Sequence, residues 1–183
     1  LLDHLTSVPV ARGMLEQAQQ RLSEQYQRAL QDAVLAAGRL LGFETTFGAY
    51  ERHGSAARAA GEWVSRRRLR VSVQVWSDQA SIDMDAVTRA LPLLPAPASE
   101  AEPAHVRLCV LTPACAGRTK VEQVARRLAP TTHVLSVRAL LDLADLVERR
   151  SLTHDDIIRM LHPGPALDEQ VALLSRLTHP HVP

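Results

Sequence analysis

Cysteine, lysine and aromatic residues are all scarce in this chain. Its 183 residues include two cysteines and two each of tryptophan, tyrosine and phenylalanine. No apolar run approaches the ~18–20 residues of a membrane-spanning helix, which excludes one. The first residues carry no basic region ahead of an apolar core, so no secretory signal is expected. Cys109 and Cys115 make no disulfide framework, and neither has zinc-site spacing to the dispersed histidines. No metal or other cofactor is therefore expected through Cys or His, and a reducing cytoplasm is the expected compartment. Lys120 is the only lysine, so any chemistry that needs an ammonium must use Lys120 or fail. The formal net charge of +1 excludes a uniformly basic coat for nucleic acid.

What is present fits a globular domain with a real core. Hydrophobic residues make up 46% and charged residues 22%, the balance of folded proteins rather than of disordered tails. Leu15, Ala18, Leu22, Tyr26, Ala29, Ala33, Ala37 and Leu40 recur at helical spacing, which predicts one long helix over 14–41 stopped by Gly42. Its polar, glutamine-rich first half carries only a narrow apolar stripe. That half either lies solvated on the domain or projects and pairs with a second copy of the chain, so a homodimer through 14–41 is one expectation.

Beyond Gly42 the signals alternate. Phe43 to Tyr50 reads as a short strand and Glu51 to Ala60 as a loop. Glu62 to Ser65 and Leu69 to Trp76 read as two strands joined by Arg66-Arg67-Arg68. The second is the clearest: Leu69, Val71, Val73 and Val75 point one way, Arg70, Ser72, Gln74 and Trp76 the other. Ser81 caps a helix to about Leu91, and a proline-rich linker runs from Pro92 to Ala104. Val106 to Leu111 is a strand, Thr119 opens a helix to about Leu128, and His133 to Leu135 is a strand. Ser136 caps a helix to about Arg150, Thr153 with Asp156 opens another, and Asp168 to Leu177 is the last. The order predicts an α/β fold, a mixed central sheet with helices on both faces.

Four stretches carry a resemblance. They are Leu41-Gly42-Phe43, Gly61-Glu62-Trp63-Val64-Ser65, Leu69 to Trp76 and Ile82-Asp83-Met84-Asp85. In this order they resemble PD-(D/E)XK restriction-endonuclease-like domains. Leu135 to Leu141 and Leu152 to Ile157 are similar to the same bacterial group. The resemblance spans roughly 28–163, leaving 1–27 as a helical extension and 164–183 as a C-terminal helix and tail. It implies a divalent metal held by an acid on the second strand and another on the third, with a lysine two residues further on orienting the attacking water. Residues i and i+2 of a strand share a face, so ligand and lysine enter one cleft.

The resemblance puts those roles on Ala60, Gln74 and Trp76. Alanine offers no ligand, glutamine only a neutral oxygen, and tryptophan an uncharged donor with bulk where water should sit. Glu44, Glu62 and Asp78 are the nearest acids, of which Glu62 and Asp78 could serve as migrated ligands. A single carboxylate beside Gln74 remains a poor magnesium site. The expectation is an inactive nuclease-like module, not an enzyme, within a larger bacterial defence or DNA-repair protein.

Such a frame keeps a surface for double-stranded DNA or for a partner protein. Arg52, Arg58, Arg66, Arg67, Arg68 and Arg70 face one acid, Glu62, across the same stretch, and the turn Arg66–Arg68 is expected beside the vacated cleft. Its guanidinium groups either grip phosphates or form a solvated hairpin tip. Trp63, after an expected turn at Gly61, is read as core; Trp76 plugs the cleft, stacks on a base or anchors a partner. The alternatives are a protein-interaction or oligomerisation scaffold built on 14–41, with no nucleic-acid role, and a metal-dependent nuclease using Glu62 and Asp78.

Overall fold

Alternation of apolar and polar side chains builds the centre of the molecule. The computed structural model describes residues 7–20, 24–53, 56–66, 69–77, 104–111 and 131–161. Five strands run in the order β1 (Glu44–His53), β2 (Ala56–Ser65), β3 (Leu69–Ser77), β4 (Ala104–Leu111) and β5 (Thr132–Ser136). They form one sheet in that spatial order. β1, β2 and β3 are an antiparallel meander, whereas β4 and β5 each join parallel to the strand before. The sheet is mixed, as the alternation predicts. Expectations for Asp78, Lys120, Cys115, Arg67, Arg68, the linker and the helices at 81–91, 119–128 and 168–177 lie outside the described residues.

Leu69, Val71, Val73 and Val75 are completely buried on one face of β3, with Val106, Leu108 and Val110 beside them on β4. Fully burying each such side chain stabilises the fold by roughly 1.5–3 kcal/mol. The helices packed on this side are α1 (Val8–Gln20), α2 (Glu24–Ala37), α3 (Val137–Glu148) and α4 (His154–Leu161). On the opposite face Arg70 is exposed and Ser72 and Gln74 are half-buried, but Trp76, Cys109, Leu111 and Val134 are buried.

The single helix expected over 14–41 is instead two. α1 and α2 pack against each other, and α1 also packs on α3. Val8, Ala11 and Leu15 enter the core, Arg12 pairs with Asp145 at 3.1 Å and with Asp142 at 3.7 Å, and the Val8 N–H donates to Glu148 Oε1. Among the described residues α1 is thus packed onto the domain and does not project from it. Apolar spacing runs uninterrupted from Leu15 to Leu40, so periodicity alone does not reveal the division. The second helix ends at Ala37, short of the expected stop, and tighter turns carry the chain on to Gly42. At φ +90° it lets the Phe43 N–H reach the Gly38 carbonyl while its own N–H bonds Arg39, a Schellman closure.

Two further corrections concern β1 and β2. Strand structure continues to His53 and resumes at Ala56, so most of the expected loop at 51–60 is a hairpin. Gly61-Glu62-Trp63 is mid-strand and not a turn. The β1–β2 register shifts between Phe47 and Tyr50, a bulge that contains Gly48, where a Cβ would lie 2.6 Å from the Ala60 carbonyl oxygen. The helix starts are as expected: Ser136 Oγ accepts from the Ala139 N–H at 3.2 Å, and Thr153 and Asp156 exchange bonds as a capping box.

His133 is buried on β5, its Nε2–H donating to the Leu161 carbonyl at 2.8 Å. Burial pushes its pKa below the ordinary value, and the carbonyl bond only partly opposes this. The folded state therefore holds the ring neutral, while the unfolded chain takes up a proton near pH 6.5. Stability from this residue is complete above that pH and is lost as pH falls through 6.5 towards the lower folded value. His105 is shifted the same way, so it adds to the effect. Urea midpoints should fall between about pH 8 and about pH 5.5, and His133→Gln should shrink the difference. An unchanged pH dependence in that variant would refute the assignment.

Candidate functional site

Strand register brings together the three positions that the resemblance singles out. Ala60 on β2 lies directly across from Gln74 on β3, and Trp76 follows two residues along on the same face. Paired residues of neighbouring strands share a face with Cβ atoms roughly 5 Å apart. A methyl, an amide and an indole thus occupy the region where the resemblance calls for two carboxylates and a lysine. Trp76 is only 2% exposed, and among the described residues the buried Gln74 Oε1 accepts no hydrogen bond. Glu62 shares the face but sits one row away, opposite Ser72. No group of three or more potential metal ligands occurs among the described residues.

The arginines do not form one patch. Arg58 pairs in register with Trp76, and Arg52 pairs with Ala57, so both backbones belong to the Trp76 end of the sheet. Ser65 pairs with Leu69, which puts Arg66 and Arg70 at the opposite end. Five residues at ~3.3 Å each separate Leu69 from Gln74, roughly 17 Å. The turn at Arg66 is therefore remote from Ala60, Gln74 and Trp76, a correction to the expected neighbourhood. Contiguity in sequence misleads here because a hairpin carries its two arms to both ends of the sheet.

Two polar clusters escaped sequence reading. One lies on the Glu62 face, where Glu62, Ser72 and Arg107 form a row across β2, β3 and β4, with Arg70 and His105 in the next. Ser72 Oγ and His105 Nε2 share a hydrogen bond of 2.7 Å. Burial is the main cause lowering the His105 pKa; Glu62 opposes it, and Arg70 and Arg107 reinforce it. The half-polar alternation His105-Val106-Arg107 is the available signal, and the strand expected from Val106 starts one residue short of including His105.

The second cluster lines an open cleft of about 620 Å³ at the Arg66 end, bounded by Arg39, Phe43, Glu44, Ser65, Arg66 and His154 among others. His154 Nδ1 lies 2.7 Å from the Leu41 carbonyl, which can only accept, so Nδ1 carries the proton. In the neutral ring Nε2 then accepts from the Ser65 hydroxyl at 2.8 Å. The Phe43 ring meets the imidazole edge-on, centroids 4.7 Å apart. This clasp ties α4 to the α2–β1 turn and to the end of β2. No local motif announces it, since its members lie far apart in the chain.

Trp63 is core, as read: it is buried, with Nε1 donating to the Leu35 carbonyl at 2.8 Å. No described helix is long and apolar enough to cross a membrane. Comparison with protein-family models, curated proteins and solved structures finds no match to this chain.

Proposed function

We propose that this chain is a nuclease-like module without a working metal site, which binds duplex DNA within a larger bacterial defence or DNA-repair protein. The observation carrying the reading is the Ala60–Gln74 register pair with the buried Trp76 two residues on. A divalent ion needs carboxylates at these points to hold it against water, and this face supplies an alkyl group and two uncharged polar groups. Supporting it is the order of elements: a helix, three antiparallel strands, then a fourth strand parallel to the third. DNA contact falls to the basic end of the sheet, where Arg66 and Arg70 are exposed.

Phosphate contacts made by arginine are strongly salt-dependent and indifferent to sequence. With three phosphates engaged, affinity for a labelled duplex should drop roughly 40-fold between about 50 and 200 mM salt. Alanine at Arg66, Arg67 and Arg68 together should abolish most of that binding, and plasmid incubated with Mg²⁺ or Mn²⁺ should stay supercoiled. Binding that survives the triple replacement, or nicking that Glu62→Gln removes, would each defeat the reading.

A further inference from the structure

We infer that the cleft between the α2–β1 turn and the end of β2 is a phosphodiester-binding site for duplex DNA, with Arg39 and Arg66 as its paired contacts and Glu44 as their internal competitor. This rests on the DNA-binding reading above and gives it a location. Arg39 belongs to no basic run in the sequence, yet the fold sets it on the same cleft as Arg66.

The two arginines are held differently. Arg39 Nε donates to Thr45 Oγ1 at 2.9 Å, which orients the side chain and leaves its terminal NH2 groups without partners among the described residues. Arg66 is 91% exposed and its Nε donates to Glu44 Oε1 at 3.3 Å, with Glu44 itself 69% exposed. An ion pair so exposed is weak and screened by salt. A phosphodiester oxygen can take the place of that carboxylate, and the guanidinium forks suit a phosphate in two-point geometry.

Below them the floor is already satisfied. Both ring nitrogens of His154 and the Ser65 hydroxyl are engaged with one another and with Leu41, so the floor draws no ligand of its own. Its effect is positional, fixing the turn that bears Arg39 relative to the strand end that bears Arg66. Glu44 and Asp155 line the same cleft and offset the two cations. Unlike the arginine-turn reading, this arrangement makes an acid limiting: removing the Glu44 charge should strengthen binding. The cleft also lies at the sheet end remote from Gln74 and Trp76, so DNA held there is not offered to the vacated positions.

Fluorescence anisotropy of a labelled 20-base-pair duplex with the full chain, over a salt series, tests this. Arg39→Ala and Arg66→Ala should each weaken binding about three- to tenfold and lower the slope of log K against log salt by about 0.9. Glu44→Gln should tighten binding about twofold, Arg39→Lys should keep the wild-type slope, and Arg138→Ala, an exposed arginine on α3, should change neither. Thermal melts check that Arg39→Ala is folded, and Arg39→Lys and Glu44→Gln give readouts that do not depend on it. If Arg39→Ala binds like Arg138→Ala while Arg66→Ala is weakened, the cleft is refuted and the DNA reading stands. If the wild-type chain fails to bind at low salt, both fall.

Discussion

Replacing Trp63 by alanine should lower the unfolding free energy by about 3–5 kcal/mol, the usual range for removing a fully buried aromatic. The indole is 1% exposed, stacks on Phe43 with centroids 5.7 Å apart, and closes over Gly38, where an added Cβ would lie 2.5 Å from Nε1. Its N–H satisfies the Leu35 carbonyl close to the C-terminal end of α2, so truncation leaves a cavity and loses a buried bond together. Trp63→Phe keeps most of the volume and loses the donor, and should cost about 1–2 kcal/mol. Urea unfolding followed by circular dichroism reads both. A loss below about 1 kcal/mol for the alanine variant would show that the contact between α2 and the sheet does not depend on this ring.

Placing charge on β3 should damage the protein rather than give it nuclease activity. Gln74→Glu combined with Trp76→Lys restores the two groups the resemblance calls for on that strand. Trp76 is almost wholly inaccessible, so the exchange removes a large packed side chain and forces an ammonium to seek water from a buried position. The loss should exceed about 4 kcal/mol, enough to unfold a domain of ordinary stability. Ala60 still supplies no ligand, so no metal-dependent nicking should appear. A double variant that stays folded and cuts plasmid with Mg²⁺ would mean that the indole fills a working cleft and that little else has changed.

These two tryptophans also mark how far the sequence could be read. Leu69 to Val75 alternates so regularly that β3 and its buried face followed from the pleat alone, and local caps at Ser136 and Thr153 with Asp156 were equally plain. Facing on β3 was therefore legible, and with it the side shared by Gln74 and Trp76. That Ala60 lies across from Gln74 needed the β2–β3 register, which is fixed once Ser65 is seen to pair with Leu69. The division of α1 from α2 was hidden because both helices keep one apolar rhythm. What separates them is where Val8, Ala11 and Leu15 pack, a tertiary fact. Alanine-rich 56–60 has weak strand propensity, and pairing with β3 overrides it. Arg39 and His154 were invisible for a different reason: nothing near either in the chain hints at their cleft, and only folding brings Leu41, Ser65 and His154 within hydrogen-bonding reach.

The irregular stretch of β1 bears on what happens when many copies are crowded together. This strand ends the sheet's spatial order, and among the described residues its outer side carries no neighbouring strand. An open margin of that kind invites another polypeptide to add itself and begin a fibril. Between Phe47 and Tyr50 the extra residue breaks the even run of amide and carbonyl groups, so an incoming segment could dock on either side but not along the whole length. The bulge thus shortens the unbroken ladder that a polypeptide added at this edge could form.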